Sequence, residues 1–179
     1  TFELNTFNHL DFPALPKTQN TAILKIKQDS LKKLIENTSF SMGNQDIRAY
    51  LNGLFFELNK DSLTVVATDG HRLSIGEIKQ INNLEERKTV ILPRKAVIEL
   101  TKLLNKSTQE MAEIQLSDNY FSLVDSSTKI ISRLIDGNFP NYKQVMPNDF
   151  SNTVVIDRLD FLSSLQQASI FVDERTKGV

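Results

Sequence analysis

One order of elements recurs along these 179 residues, and it constrains the fold more than any single motif. A strand signal at Ala22–Lys27 (AILKIK) leads into a helical stretch of about Gln28 to Thr38. There Leu31, Leu34, Ile35 and Thr38 fall at i, i+3, i+4 and i+7, one apolar stripe. Asp29 or Ser30 is placed to cap its start. Strand signals follow at Arg48–Leu58, Ser62–Thr68 and Arg72–Lys79, with turns at Asn59-Lys60-Asp61 and Asp69-Gly70. A second copy opens with a strand at Lys88–Leu92. Pro93 then sits where a helix starts, a position that tolerates its missing N–H. That helix runs to about Asn105 with Ala96, Leu100 and Leu103 as its stripe. Strands at Glu113–Ser117, Tyr120–Asp125 and Lys129–Ile135 complete the copy, turning at Asp118-Asn119 and Ser126-Ser127. A third copy begins with a strand at Thr153–Ile156 and a helix that Asp157 caps, carrying Phe161, Leu162, Leu165, Ala168 and Ser169. The openings lie near residues 21, 88 and 153, which are 67 and 65 residues apart.

The unit is therefore β-α-β-β-β, and the fold class is α+β. Two complete units make one domain, residues 21–147. The alternating Thr1–Phe7 reads as a strand, and Pro13 and Pro16 mark an extended linker, so 1–20 reads as the tail of a preceding domain. Residues 148–179 read as the start of a following one. The chain opens without Met and ends in the charged run DERTKGV, so it reads as a piece of something longer. A string of such units builds either a linear array or a closed ring, and the period does not distinguish them.

Composition narrows the chemistry. The net charge is −1, so any contact with nucleic acid has to come from local charge patterning. With no cysteine, disulfides and thiolate metal sites are excluded. The two histidines, His9 and His71, are not at metal-ligand spacing, and the six glycines form no phosphate-cradling loop. No apolar run approaches the roughly 20 residues that cross a bilayer, so no membrane contact is expected. A soluble intracellular protein is the expectation.

The sharpest local signal is VVATDGHRL, Val65 to Leu73. Asp-Gly between strand formers is a strong hairpin turn, because Gly70 takes positive φ without steric cost. The plain alternative is a tight turn with incidentally polar side chains. Asp69, His71 and Ser74 also invite a hydrolase reading. Alternate side chains on a strand face opposite ways, so His71 and Ser74 point apart, against the reach such a relay needs.

Two further constellations concern binding. Lys32 and Lys33 lie off the first helical stripe, balanced by Asp29 and Glu36. On the second helix Arg94, Lys95 and Lys102 outweigh Glu99. An ordinary solvated helix face is one reading, with a generic α+β scaffold as the whole protein. A wall facing phosphates, giving salt-sensitive and sequence-blind attraction, is the other. Leu51, Thr68, Gly70, His71, Arg72 and Leu73 cluster about the turn, and Pro140, Val145 and Met146 come from the FPNYKQVM stretch. Core plus packed linker is the plain reading. An extended segment beside a hairpin turn instead makes a groove that takes short linear peptides.

VVATDGHRL, YLNG (Tyr50–Gly53), LPRKAVIEL (Leu92–Leu100) and LIDGNFPNYKQVMP (Leu134–Pro147), in that order, resemble the bacterial replicative sliding clamp, the beta subunit of DNA polymerase III. The resemblance covers essentially the whole chain. It implies a DNA-clamp fold with two units per domain, helices on one face of antiparallel sheets, and six domains closing into a head-to-tail homodimeric ring with helices lining the hole. The piece then spans the end of the first domain, the whole middle domain and the start of the third. It implies a non-catalytic, cytoplasmic processivity factor without cofactor, whose partners are double-stranded DNA, the polymerase III alpha subunit, the clamp loader and other proteins with a clamp-binding motif. It carries the peptide groove onto Leu51, Thr68, Gly70, His71, Arg72, Leu73, Pro140, Val145 and Met146. It sets Lys32, Lys33, Gln45, Arg48, Tyr50, Arg94, Lys95 and Lys102 toward DNA, with polar help from the loop Ser41–Arg48. Two positions depart from the pattern: Ala49 stands where relatives often carry an aromatic residue, and Gln144 where a basic one is common.

Overall fold

Alternation in AILKIK becomes strand β1, Ala22–Lys27, which buries Leu24 and Ile26 and exposes Ile23, Lys25 and Lys27. The computed structural model describes residues 2–11, 22–79, 84, 86–125, 128–147 and 151–172. It forms two compact units, Thr1–Phe139 and Pro140–Val179.

In the first unit the order is β1, α1 (Gln28–Glu36), β2 (Gly53–Leu58), β3 (Ser62–Thr68) and β4 (Leu73–Lys79), then β5 (Lys88–Pro93), α2 (Arg94–Lys106), β6 (Met111–Leu116), β7 (Tyr120–Asp125) and β8 (Thr128–Arg133). The eight strands make two antiparallel sheets, in the orders β4-β3-β2-β5 and β1-β6-β7-β8. Each repeat has given its first strand to the other's sheet. β5 pairs with β2, Phe56 facing Val90, and β1 pairs with β6, Leu24 facing Ile114. Neither repeat therefore has a complete sheet alone, which is the physical reason that two make one core. Leu24, Ile26, Leu31, Leu54, Phe56, Leu92, Leu100, Ile114 and Phe121, drawn from both repeats, belong to a single buried cluster.

Helix α1 follows β1 without a break. Its N-cap is Lys27, which offers no side-chain bond. Asp29 and Ser30, the expected caps, fall inside the first turn, and the Gln28 N–H donates instead to the Glu110 carbonyl at 2.9 Å. The stripe Leu31, Leu34, Ile35 and Thr38 is buried as expected. Thr38 Oγ1 donates back to the Leu34 carbonyl at 2.7 Å. Leu34 seats against β4 at Gly76, where a Cβ would lie 2.6 Å from its Cδ1. On α2 the buried residues are Val97, Leu100 and Leu104, with Ala96 and Leu103 only flanking the core. The expected stripe is thus rotated by one residue. Residues 96, 97, 98, 100, 103 and 104 are all apolar, so two neighbouring stripes fit the same sequence. Pro93 is the N-cap of α2 and the last residue of β5. The two helices pack on each other, and their outward sides expose Lys33, Glu36, Lys95, Ile98, Glu99 and Lys102.

Several boundaries moved. β2 starts at Gly53, not Arg48, because Ala49–Leu51 form a 3-10 turn. β4 starts at Leu73, one residue past the tight turn. β6 begins two residues early and β8 stops at Arg133. The chain then crosses sheets. Leu134 N–H donates to the Asn119 carbonyl and Ile135 N–H to the Ile91 carbonyl, both at 2.9 Å. Phe139 stacks on Phe55, ring centroids 4.6 Å apart.

Two expected strands do not form among the described residues: 2–7 are exposed and carry no ladder there, and 151–157 likewise. Alternation alone does not hold a strand; a partner does. In the two complete repeats the first strand finds that partner in the other repeat, and Thr153–Ile156 has none among the described residues. The linker prolines Pro13 and Pro16 and the turn Ser126-Ser127 lie outside the described residues. In the second unit, Tyr142–Val145 forms a short helix, α3. Asp157 caps α4, Arg158–Ala168, as expected, accepting from Leu159 N–H at 2.8 Å and Asp160 N–H at 3.1 Å.

Candidate functional site: the Gly70 turn and the loop beside it

The turn between β3 and β4 is held by the side chains that precede it. Gly70 has φ of 89°, the conformation that the Asp-Gly pair requires. Its N–H donates to Thr68 Oγ1 at 3.1 Å, and that hydroxyl donates to the Arg72 carbonyl at 2.7 Å. Asp69 Oδ1 accepts from the N–H of His71 at 3.0 Å and of Arg72 at 3.1 Å, and Oδ2 takes the Arg72 guanidinium at 3.1 Å. Burial pushes the Asp69 carboxyl up. The two backbone N–H groups and the guanidinium together outweigh it, so the group is held below its usual range. Gly70, His71 and Arg72 end up exposed, and Leu73 half-buried. The Arg72 guanidinium lies 5.9 Å from the Phe40 ring centroid, a cation–π distance.

The hydrolase relay is not formed. Asp69 spends both oxygens on backbone N–H groups and Arg72. Ser74 Oγ lies 2.6 Å from Ser41 Oγ.

A second segment, Met42 to Asn52, is folded against this turn. Asn52 clasps Asp46 from both sides, Oδ1 accepting from its N–H at 2.9 Å and Nδ2 donating to its carbonyl at 2.8 Å. The neck is closed by Gly43 N–H on the Leu51 carbonyl at 2.8 Å. Gln45 sits at φ of 58°, the one non-glycine residue with positive φ among the described residues. Asp46 in turn holds Arg48, through Nε at 3.0 Å, Nη2 at 2.9 Å and the backbone N–H at 2.8 Å. The Arg48 side-chain bond, followed by its backbone N–H, brings the Asp46 carboxyl from 3.8 down to about 2. The Arg48 guanidinium then lies over Gly70, its Nη2 3.2 Å from where a Cβ would stand. Loop and turn meet at the glycine of the turn, where no side chain stands in the way.

Of the expected groove residues, Leu51, Thr68, Gly70, His71, Arg72 and Leu73 all belong to the first unit. Leu51 is 1% exposed, so it is floor and not open wall. Pro140, Val145 and Met146 belong to the second unit, with Pro140 and Val145 exposed and Met146 half-buried. Of the expected DNA-facing residues, Lys33, Lys95 and Lys102 are exposed on helix surfaces and Lys32 is half-buried. Lys102 is bonded to Glu99 at 2.8 Å. Gln45 and Arg48 are exposed in the loop, and Tyr50 is half-buried beside Gly137. Arg94 departs from the group, since its guanidinium points at the carbonyls of Met42 and Gly43, 3.3 and 3.5 Å away. Sequence reasoning missed Asp46, Asn52 and Gly43. The run of short polar residues in MGNQD was the available signal, because such side chains bond their own backbone. It also missed a cleft of about 490 Å³ beside the exit segment, lined by Phe55, Arg87, Ile91, Asp118 and Phe139 among others.

Comparison with known proteins bears on what this site serves. Residues 25–141 match the family model described as DNA polymerase III beta subunit, central domain. The beta sliding clamp of Proteus mirabilis is 38% identical over 178 residues, which is 99% of this chain and 48% of that protein. The DNA polymerase III subunit beta of Pseudomonas aeruginosa superposes with a TM-score of 0.91 at 35% identity, over 97% of this chain and 48% of that one. A Pseudomonas aeruginosa DnaN sliding clamp bound to griselimycin gives 0.90 at 34% identity, over 98% and 47%. The α+β DNA-clamp fold expected from the four motifs is thereby shown. The chain spans about half the length of the curated relatives it matches.

Proposed function

The chain belongs to the DNA polymerase III beta subunit family, and from that premise we propose that it is the central part of a sliding clamp. In this reading residues 21–147 are the middle domain, 1–20 the tail of the one before, and 148–179 the start of the one after. The full-length protein forms a homodimeric ring around double-stranded DNA in the cytoplasm and catalyses no reaction. Its grip is topological. The outward side of α2 carries Lys95, Lys102 and Lys106 against Glu99, a weak positive face. A face of that kind attracts phosphates without reading bases, and so permits sliding. Partners, namely the polymerase alpha subunit, the clamp loader and other proteins with a clamp-binding motif, dock in the groove at the Gly70 turn.

The observation that carries this reading is the turn itself. In a chain of this family, Asp69 and Thr68 fix the backbone so that His71 and Arg72 stand outward. Griselimycin, found bound to the Pseudomonas aeruginosa clamp, is the natural probe. Calorimetric titration of griselimycin into the full-length protein is expected to show binding that His71→Ala and Leu73→Ala each weaken roughly tenfold, the scale of one lost hydrogen bond or buried contact. Unaltered affinity in both, with unchanged melting, would refute the groove.

A further inference from the structure

Arg94 opens α2 and, by sequence, reads as one more cation facing DNA. Its bonds go elsewhere. The backbone N–H donates to the Asn52 carbonyl at 2.9 Å. The guanidinium Nη1 reaches the Met42 carbonyl at 3.3 Å and the Gly43 carbonyl at 3.5 Å. Met42 and Asn52 are the two ends of the loop, so one residue of α2 holds both. From there the contacts run on without a gap. Asn52 clasps Asp46, Asp46 holds Arg48, and Arg48 lies on Gly70.

We propose that Arg94 is a positioning residue for the peptide groove, setting the loop Met42–Asn52 against the Gly70 turn, and not a contact for DNA phosphate. The inference rests on the groove reading given above. One guanidinium nitrogen, Nη1, holds two N–H donors fixed in the guanidinium plane and reaches both carbonyls; an ammonium lacks that planar geometry and serves them less well. Met42 and Gly43 are buried, so removing the guanidinium leaves acceptors without water to replace it. A guanidinium turned toward the Met42 and Gly43 carbonyls keeps its charge but is not aimed at phosphate, and pairing with phosphate is what releases counterions.

The test uses the full-length protein and two readouts, griselimycin affinity and the slope of log DNA affinity against log salt on a short, open-ended linear duplex. Arg94→Ala and Asn52→Ala are each expected to weaken griselimycin roughly threefold to tenfold, with the salt slope unchanged and the fold retained at a somewhat lower melting temperature. Arg94→Lys recovers part of the loss. Lys95→Ala, one residue along the helix and exposed, makes the slope shallower by about 1. If Arg94→Ala alone fails to fold, Asn52→Ala tests the same clasp from its other side. Griselimycin affinity unchanged in Arg94→Ala and Asn52→Ala, while His71→Ala still weakens it, overturns this inference and leaves the groove standing. Affinity unchanged in His71→Ala as well overturns the groove and the inference together.

Discussion

Asp69 and Asp46 do the same work on two neighbouring segments. Each carboxylate accepts backbone N–H from a tight turn, one for Asp46 and two for Asp69, and pairs with an arginine two or three residues on. Both are held below the usual carboxylate range, Asp46 at about 2 against 3.8. A depressed carboxyl contributes order that is complete above 3.8 and is lost as pH falls through its folded value. Amide protection of Arg48, followed by NMR, is therefore expected to hold at neutral pH and fail only between 3.8 and about 2, and that of His71 and Arg72 to fail only below 3.8, as the lowered Asp69 carboxyl is protonated. Loss well above 3.8 would mean that these carboxylates do not hold the turn and loop. The Asp69-Gly70 turn was legible in the sequence because its geometry is local. Arg94 was not. A charged residue on a helix reads the same whether it faces solvent or a carbonyl far off in the chain, and Gly43 is 51 residues from it.

At the scale of elements, the helices and strands followed their periodicity wherever one face alone was apolar. β1 and α1 are examples, and Leu24, Ile26, Leu31 and Ile35 are buried as the pattern required. Legibility failed where the pattern was over-full. α2 has apolar residues on two neighbouring stripes, and β2 is buried at all six positions, so alternation could not say which side faces the core. Packing decides there. Gly53 opens β2 where a Cβ would stand 2.7 Å from the Leu92 carbonyl and 2.8 Å from Ile91 Cγ2. Gly53→Ala is expected to destabilise the fold by about 1–3 kcal/mol, the usual cost of overpacking, seen as a lowered melting temperature. An unchanged melt would mean that β2 and β5 have slack between them. The YLNG motif thus ends on a packing residue, while its Leu51 and Asn52 build the loop.

At the scale of the whole molecule, the repeat was readable and the exchange of strands was not. Element order says how many units exist; only long-range pairing says that β5 belongs with β2 and β1 with β6. The exchange has a consequence for folding. Residues 22–79 alone hold β1 without β6 and β2–β4 without β5, so this half is expected to stay unfolded by circular dichroism. A cooperative melt from it would contradict the shared core. Thr153–Ile156, predicted as a strand, has no partner strand among the described residues. The proposed function rests on enclosure. Full-length protein loaded onto a nicked circular duplex should stay bound in high salt and leave promptly once the circle is cut. Equal departure from circular and linear DNA would contradict it.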